Sequence, residues 1–266
     1  MGALTVAAVA AQDLSVSSGF TSGNDGWSGI DVQGPPYDVV VRGPYALDYQ
    51  SNGGNPGGLV GTSDTAATMF CFSAPSKFRG DKSAYYNGTL HYELRFNNNG
   101  LLPAGSIYPD VILIGKGLTL VASAGADPAN QTDTWIPFGI TLNEVNWHLN
   151  DLNGASPTTN QFRDVLSEVT ALYIKGDFFA GIDTAWLDNV VMESLSPALQ
   201  IACTNNGVTL QWPALAAAFS LQTTHDVADT NSWITVSNAP TVVGTNLQMT
   251  VAPLTERGFF RLKLEP

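Results

Sequence analysis

Phe70-Cys71-Phe72-Ser73-Ala74-Pro75-Ser76-Lys77-Phe78-Arg79-Gly80-Asp81-Lys82-Ser83-Ala84-Tyr85-Tyr86-Asn87-Gly88-Thr89-Leu90-His91-Tyr92-Glu93-Leu94-Arg95-Phe96 is the stretch whose pattern decides the fold class. Phe70 and Phe72 are spaced as neighbours on one face of a strand. Pro75 and Gly80 break that pattern, and Asn87-Gly88 supplies turn chemistry. From there Leu90, Tyr92, Leu94 and Phe96 alternate with Thr89, His91, Glu93 and Arg95. Strict alternation of this kind predicts an antiparallel strand with one face in a core and the other in water.

Working outward, the same rhythm fills the chain. Residues 13–27 hold a short strand and the turn Gly23-Asn24-Asp25-Gly26. Residues 38–42 are a β-branched run, and Tyr45, Leu47 and Tyr49 alternate. Residues 51–58 read as a Gly/Asn/Pro loop without a core-forming side chain, and 59–72 return to strand. A turn is expected at 97–100, a hairpin at 110–120 through Gly115-Lys116-Gly117, a polar loop at 124–134 and a strand at 136–142. One helix is expected, capped by Thr159, with Phe162, Val165, Leu166 and Val169 at helical spacing. Strands resume at 172–174 and 186–192. A boundary falls at Ser194-Leu195-Ser196-Pro197, after which the alternation restarts with Leu199, Ile201 and Cys203, then Val208, Leu210 and Trp212. Short strands with a turn signal every ~8–12 residues are the signature of a β-sandwich.

Composition narrows the function. Apolar residues make up 44% of the 266, enough for a sizeable core, while only 13% are charged. Asn, Thr, Ser, Gln and Gly must then cover the surface, as on secreted β-proteins and sugar binders. The formal charge of −12 repels phosphate backbones and anionic lipid, so neither nucleic-acid binding nor membrane insertion is expected. Divalent cations are attracted. Residues 1–12 form a short apolar run, with Val9 and Ala11 placed as in a cleavable signal; it is too short to span a bilayer. It reads as a signal-peptide remnant, or as an N-terminal strand that docks on its own chain or a neighbour. Cys71 and Cys203 admit two readings: one disulfide in an oxidising compartment, or two buried free thiols, each in its own core; the alternation around both favours the second.

The quoted stretch also resembles a family. An aromatic strand, then Ala74-Pro75 with Phe78, Gly80 and Asp81, then Ala84-Tyr85 with Gly88 and Leu90, is similar to the laminin B (laminin IV type A) domain. Phe20 to Trp27, Val111 to Leu120, Trp135 to Trp147, Phe162 to Ile174 and Trp186-Leu187-Asp188-Asn189-Val190 follow in that family's order. The resemblance covers roughly residues 14–195. Gly53-Gly54-Asn55-Pro56-Gly57-Gly58 resembles the bacterial secreted members. The order Thr209-Leu210-Gln211-Trp212-Pro213, Phe219 to Thr224, Ser232-Trp233 and Phe259-Phe260-Arg261-Leu262 resembles a divergent fibronectin type III-like module. The resemblance implies an all-β chain: residues 13–195 as a jelly-roll β-sandwich of the galactose-binding-like kind, and 196–266 as a small immunoglobulin/fibronectin type III-like sandwich.

No Gly-x-Ser-x-Gly, His-Glu-x-x-His or Walker loop occurs, and His91, His148 and His225 are scattered. Glu93, Glu144, Asp188 and Glu193 read as strand-surface carboxylates rather than as a glycosidase pair. The chain is therefore not expected to be an enzyme. By analogy with jelly-roll carbohydrate-binding modules, a structural Ca²⁺ is expected at Asp188 with Asp25 or Asp64 as partner. Trp147, Trp186, Trp212 and Trp233 are assigned to cores. Tyr45, Tyr49, Asn52, Asn55, Tyr108 and Trp135 are the candidates for stacking on and reading a sugar. The leading expectation is a secreted, non-catalytic carbohydrate-binding or adhesion protein of the cell surface or extracellular matrix, with a polysaccharide or glycan as partner. The alternatives are a fibre or surface-layer subunit that self-associates by strand exchange, and a polysaccharide-degrading enzyme.

Overall fold

The computed structural model describes residues 6–9, 14–65, 67–97, 108–124, 133–195, 197–204, 207–217, 219–251 and 257–264. Of the turn expected at 97–100, Asn97 belongs to a strand and 98–100 lie outside them, as do most of the polar loop at 124–134 and Ala11 of the expected cleavage signal. The chain forms two compact units, Ser15–Ser194 and a smaller one that joins Met1–Leu14 to Leu195–Pro266.

Strand β1 (Val6–Val9) belongs to the smaller unit. The larger unit contains β2 (Ser15–Ser18), β3 (Ser28–Gln33), β4 (Val39–Tyr45), β5 (Asp48–Gly54), β6 (Gly57–Ser63), β7 (Met69–Ser73), β8 (Thr89–Asn97), β9 (Val111–Gly115), β10 (Leu118–Ala122), β11 (Ile136–Thr141), β12 (Trp147–Leu149), the helix α1 (Thr159–Ser167), β13 (Val169–Lys175) and β14 (Thr184–Glu193). The smaller unit is completed by β15 (Gln200–Thr204), β16 (Gly207–Pro213), β17 (Phe219–Thr224), β18 (Ile234–Thr235), β19 (Thr241–Val243), β20 (Asn246–Val251) and β21 (Gly258–Leu264).

In the larger unit a seven-stranded sheet, β12-β10-β9-β13-β7-β3-β4, and a six-stranded one, β11-β8-β14-β6-β5 with β2 added on β14, make the β-sandwich. All these pairings are antiparallel. The alternation in β8 works as expected: Leu90, Tyr92, Leu94 and Phe96 are at most 1% exposed and enter the main core. Tyr92 stacks on Phe138 of β11 at 5.1 Å, which fixes the neighbouring strand's register on the same face. The middle strands of the seven-stranded sheet are buried on both sides, while its edge strand β4 is exposed. Ile30, Val32, Met69, Cys71, Ile112 and Val121 form a second cluster on the sheet's outer face. That double burial explains why β7 and β9 read as unbroken apolar runs rather than as alternation.

Helix α1 begins one residue earlier than expected. Thr158, not Thr159, is the N-cap, because Gln161 stands three residues on and completes a capping box with it. Residues 51–58 are likewise not an open loop. β5 and β6 continue into them as a hairpin, with Gly54 paired to Gly57. A β-carbon at Gly54 would lie 2.1 Å from the Gly58 carbonyl oxygen and 2.5 Å from Asp188 Oδ2. Only a glycine lets the hairpin tip close down on the sheet.

The smaller unit has two four-stranded sheets, β1-β21-β17-β18 and β15-β16-β20-β19. Leu210, Trp212, Leu221, Met249, Phe260 and Leu262 fill its core. β1 runs parallel to β21, pairing Val6 with Gly258 through Val9 with Arg261. Two assignments need correction here. Trp233 is half-buried, with the Arg261 guanidinium 4.1 Å over its ring, so it covers an edge rather than filling the core. Cys203 is exposed while Cys71 is buried, and both are free. Cys203 shares a face with its buried partner Val208, but it lies near the end of β15, the edge strand of the sheet, and stays exposed. Among the described residues no helix is long and apolar enough to cross a membrane.

Candidate functional site

The outward face of the six-stranded sheet carries the first candidate site. The parity that buries Leu94 and Phe96 turns Glu93 and Arg95 outward. Antiparallel pairing then sets Trp186 of β14 opposite Arg95, Asp188 opposite Glu93, and Gly61 of β6 opposite Trp186. Trp135 immediately precedes β11, whose Ile136 pairs with Leu94. The Arg95 guanidinium lies 4.6 Å from the Trp186 ring and 5.1 Å from the Trp135 ring, so the two half-buried indoles flank one cation. Arg95 Nη1 and Trp135 Nε1 both donate to the Gly53 carbonyl, at 3.2 and 3.3 Å. Trp186 is therefore not a core residue. Ala185 and Leu187 take the inward positions of β14 on either side of it.

One residue pair along, Asn55 Nδ2 donates to both oxygens of Glu93 at 3.2 and 3.1 Å, and Asn189 Nδ2 donates to Glu93 Oε2 at 2.8 Å. Asp188 is 0% exposed. Its Oδ2 accepts the Asn55 backbone N–H at 2.6 Å and its Oδ1 accepts that of Asn189 at 2.7 Å. Burial raises its pKa; the two N–H groups pull it back and the Glu93 charge raises it further. Asp188 is thus not a strand-surface carboxylate but the anchor of the hairpin tip. The register shifts between Asp188 and Val191, and Asn189 there has a φ of 49°, a left-handed conformation that Asn tolerates.

A second cluster lies where the two sheets meet. The carboxylates of Asp64, Asp177 and Asp183 offer ligand atoms all within 4.8 Å of one another. Asp64 follows β6, Asp183 precedes β14, and Asp177 follows β13, so both sheets contribute. The Asp64 N–H bonds to the Asp183 carbonyl at 3.0 Å, which fixes two of the three backbones. Asp64 is 6% exposed, Asp177 9% and Asp183 0%. Burial, then the charges of Asp64 and Asp183, pushes Asp177 up to about 7. Burial also pushes Asp183 up to about 6, offset in part by the Phe178 N–H and reinforced by Asp64. Asp31 stands beside them, its carboxylate held by the Tyr45 hydroxyl at 2.7 Å and by Arg42 at 3.5 Å.

The residues picked out in the sequence are scattered among these places. Asn55 and Trp135 meet on the outward face. Tyr45 instead serves Asp31 and stacks at 6.4 Å on Phe70. Tyr49 and Asn52 are exposed on β5, and Tyr108 packs on the outer cluster of the seven-stranded sheet. Asp188 and its two alternative partners for an ion, Asp25 and Asp64, fall into three separate groups. Asp25 bonds to Ser18 at 2.7 Å and to the Lys77 ammonium; burial alone would raise its pKa, but Lys77 and Ser18 outweigh that and hold it low. Asp188 spends both oxygens on peptide N–H groups. Asp64 alone is in the cluster, with Asp177 and Asp183, which the sequence did not single out.

A family model for Laminin B (Domain IV) matches residues 71–205. The chain belongs to the Laminin B (Domain IV) family. Laminin subunit gamma-2 of Homo sapiens is 27% identical over 186 residues, covering 68% of this chain and 14% of that protein. The basement membrane-specific heparan sulfate proteoglycan core protein of Mus musculus is 28% identical over 130 residues, covering 48% of this chain and 3% of that protein. The solved L4b domain of human laminin alpha-2 is 21% identical, covers 47% of this chain and 70% of the domain, and superposes with a TM-score of 0.42. This Laminin B chain thus spans only a small part of the curated relatives it matches. Membership places it among extracellular-matrix and adhesion-type domains.

Proposed function

We propose that this is a secreted, non-catalytic adhesion module that binds a glycan on the outward face of its six-stranded sheet. The observation that carries the reading is the row Trp186–Arg95–Trp135. Two indoles held in place by one guanidinium form a pre-organised aromatic platform of the kind that stacks on the apolar face of a sugar ring. The amides of Asn55 and Asn189 and the carboxylate of Glu93 stand one residue pair away, where they can read hydroxyls. The overall charge of −12 favours a neutral polysaccharide over a polyanionic one. The smaller, two-sheet unit, resembling a fibronectin type III module, is read as its structural companion.

The buried carboxylates argue against a polysaccharide-degrading enzyme. Asp64, Asp177 and Asp183 are spaced closely enough for acid–base work, but with Asp183 at 0% exposure a sugar chain cannot reach them. The strand-exchange fibre draws less support, because β1 already pairs with β21 of its own chain.

The test is a glycan-array screen of the purified chain beside Trp135→Ala and Trp186→Ala. Selective binding by the parent, lost in both variants while their melting temperatures hold, is expected. A folded parent that binds nothing, or variants that bind as well as the parent, would sink the reading.

A further inference from the structure

The cluster of Asp64, Asp177 and Asp183 uses no residue of the outward face and stands independently of the glycan reading. Three carboxylates are gathered in a nearly water-free place, a costly arrangement unless something compensates their charge. The nearby bases are committed elsewhere: Arg42 to Asp31 at 3.5 Å and Lys175 to Asp110 at 2.7 Å. Among the described residues neither Asp177 nor Asp183 makes an ion pair with a base.

A second observation is independent of the clustering. Asp183 Oδ1 is fully buried and has no hydrogen-bond partner, while Oδ2 of the same carboxylate accepts the Phe178 N–H at 3.3 Å. A buried carboxylate oxygen left without a donor calls for a ligand.

We propose that Asp64, Asp177 and Asp183 bind one divalent cation, and that the ion is Ca²⁺. The donor set is all oxygen, which suits a hard cation better than zinc, whose protein sites are built chiefly on His and Cys with carboxylates added. Oxygens on opposite sides of a Ca²⁺ ion, each at about 2.4 Å, stand about 4.8 Å apart, and the three carboxylates fall within that span. Carboxylates brought in from three separate strand ends make an irregular shell. Ca²⁺ accepts such a shell, whereas Mg²⁺ demands near-octahedral geometry and keeps its waters. The ion ties the end of β6 and the start of β14, in one sheet, to the segment after β13, in the other.

Calorimetric titration of the chelator-stripped full chain with CaCl₂, then with MgCl₂, tests this. One Ca²⁺ per chain is expected, with a Kd on the order of 10⁻⁴ M, the range of extracellular modules, and much weaker Mg²⁺ binding. Calcium should also raise the melting temperature of the parent. Asp177→Asn and Asp183→Asn, made separately so that one misfolding variant leaves the other, should weaken Ca²⁺ by about tenfold or more as ligand charge is removed. Asp25→Asn, outside the cluster, should leave Ca²⁺ affinity unchanged. The proposal is overturned if the parent shows neither heat nor a melting shift with calcium. It is also overturned if folded Asp177→Asn or Asp183→Asn binds calcium as tightly as the parent, or if Asp25→Asn abolishes the binding.

Discussion

Trp186 lies directly across the strand pair from Gly61, and a β-carbon on residue 61 would come within 2.4 Å of the indole Cδ1. The absent side chain is what seats the indole flat on the outward face beside Arg95. Gly61→Ala should therefore push Trp186 out of its place over the guanidinium and, because the same β-carbon would lie 2.6 Å from the Ala185 carbonyl oxygen, also strain the β6–β14 pairing, with Val60 and Leu187 still holding the core. The expected outcome is a red-shifted tryptophan emission and weakened glycan binding in a variant that still melts cooperatively. Unchanged emission and binding would show that the row does not depend on this contact.

The two thiols should differ in reactivity. Cys203 is exposed, whereas Cys71 is 0% exposed and burial drives its pKa far above the usual thiol range. An aromatic disulfide reagent should modify one thiol per native chain and two after denaturation. Two fast thiols in the native chain would contradict the placement of Cys71.

The acidic cluster sets a sign for the pH dependence of the metal-free chain. Asp177 is raised to about 7 and Asp183 to about 6, above the ordinary Asp value of 3.8. The folded state then holds these protons more tightly than the unfolded one, so their contribution is most favourable at low pH. It is lost as pH rises from about 4 through about 7. In chelator, the melting temperature of the parent should fall relative to that of Asp177→Asn across this window. Parallel curves would remove the effect.

Phe162 joins α1 to the sandwich. It is 0% exposed and packs edge-to-face on Trp147 at 5.5 Å, whose Nε1 donates to the Thr141 carbonyl at 2.9 Å. Phe162→Ala should cost about 3–5 kcal/mol of stability by denaturant unfolding. Thr158→Ala, which removes only the capping box, should cost about 1 kcal/mol. A Thr158 effect equal to that of Phe162 would mean the helix is held by its end rather than by its face.

What the sequence disclosed depended on whether a signal was local. The alternation of residues 89–96 announced β8 and its core face, because one side of that strand meets water. Phe162, Val165 and Leu166 announced the helix for the same reason. Trp186 misled because β14 carries large apolar residues on both faces, and a register shift after Asp188 changes parity in mid-strand. Residues 51–58 looked like a loop because glycines that permit close approach have the same letters as glycines that permit flexibility. The acidic trio was out of reach. Asp64 and Asp183 are 119 positions apart (183 − 64) in the chain, each is an ordinary strand-end aspartate, and only the pairing of β6 with β14 brings them together.

The parallel pairing of β1 with β21 has a mechanical consequence. Pull on the chain before Val6 and after Leu264, and the two adjacent strands are drawn past one another in opposite directions along a common axis. The bonds from Val6–Gly258 to Val9–Arg261 are then loaded in shear and must yield together, not unzip one by one. Residues 15–194, threaded between these strands in sequence, stay out of the line of tension until that clasp parts. Single-molecule extension should record one early force peak from the smaller unit before the larger lengthens, and deleting residues 1–9 should erase it. A first event that releases the larger unit would show that the clasp carries no load.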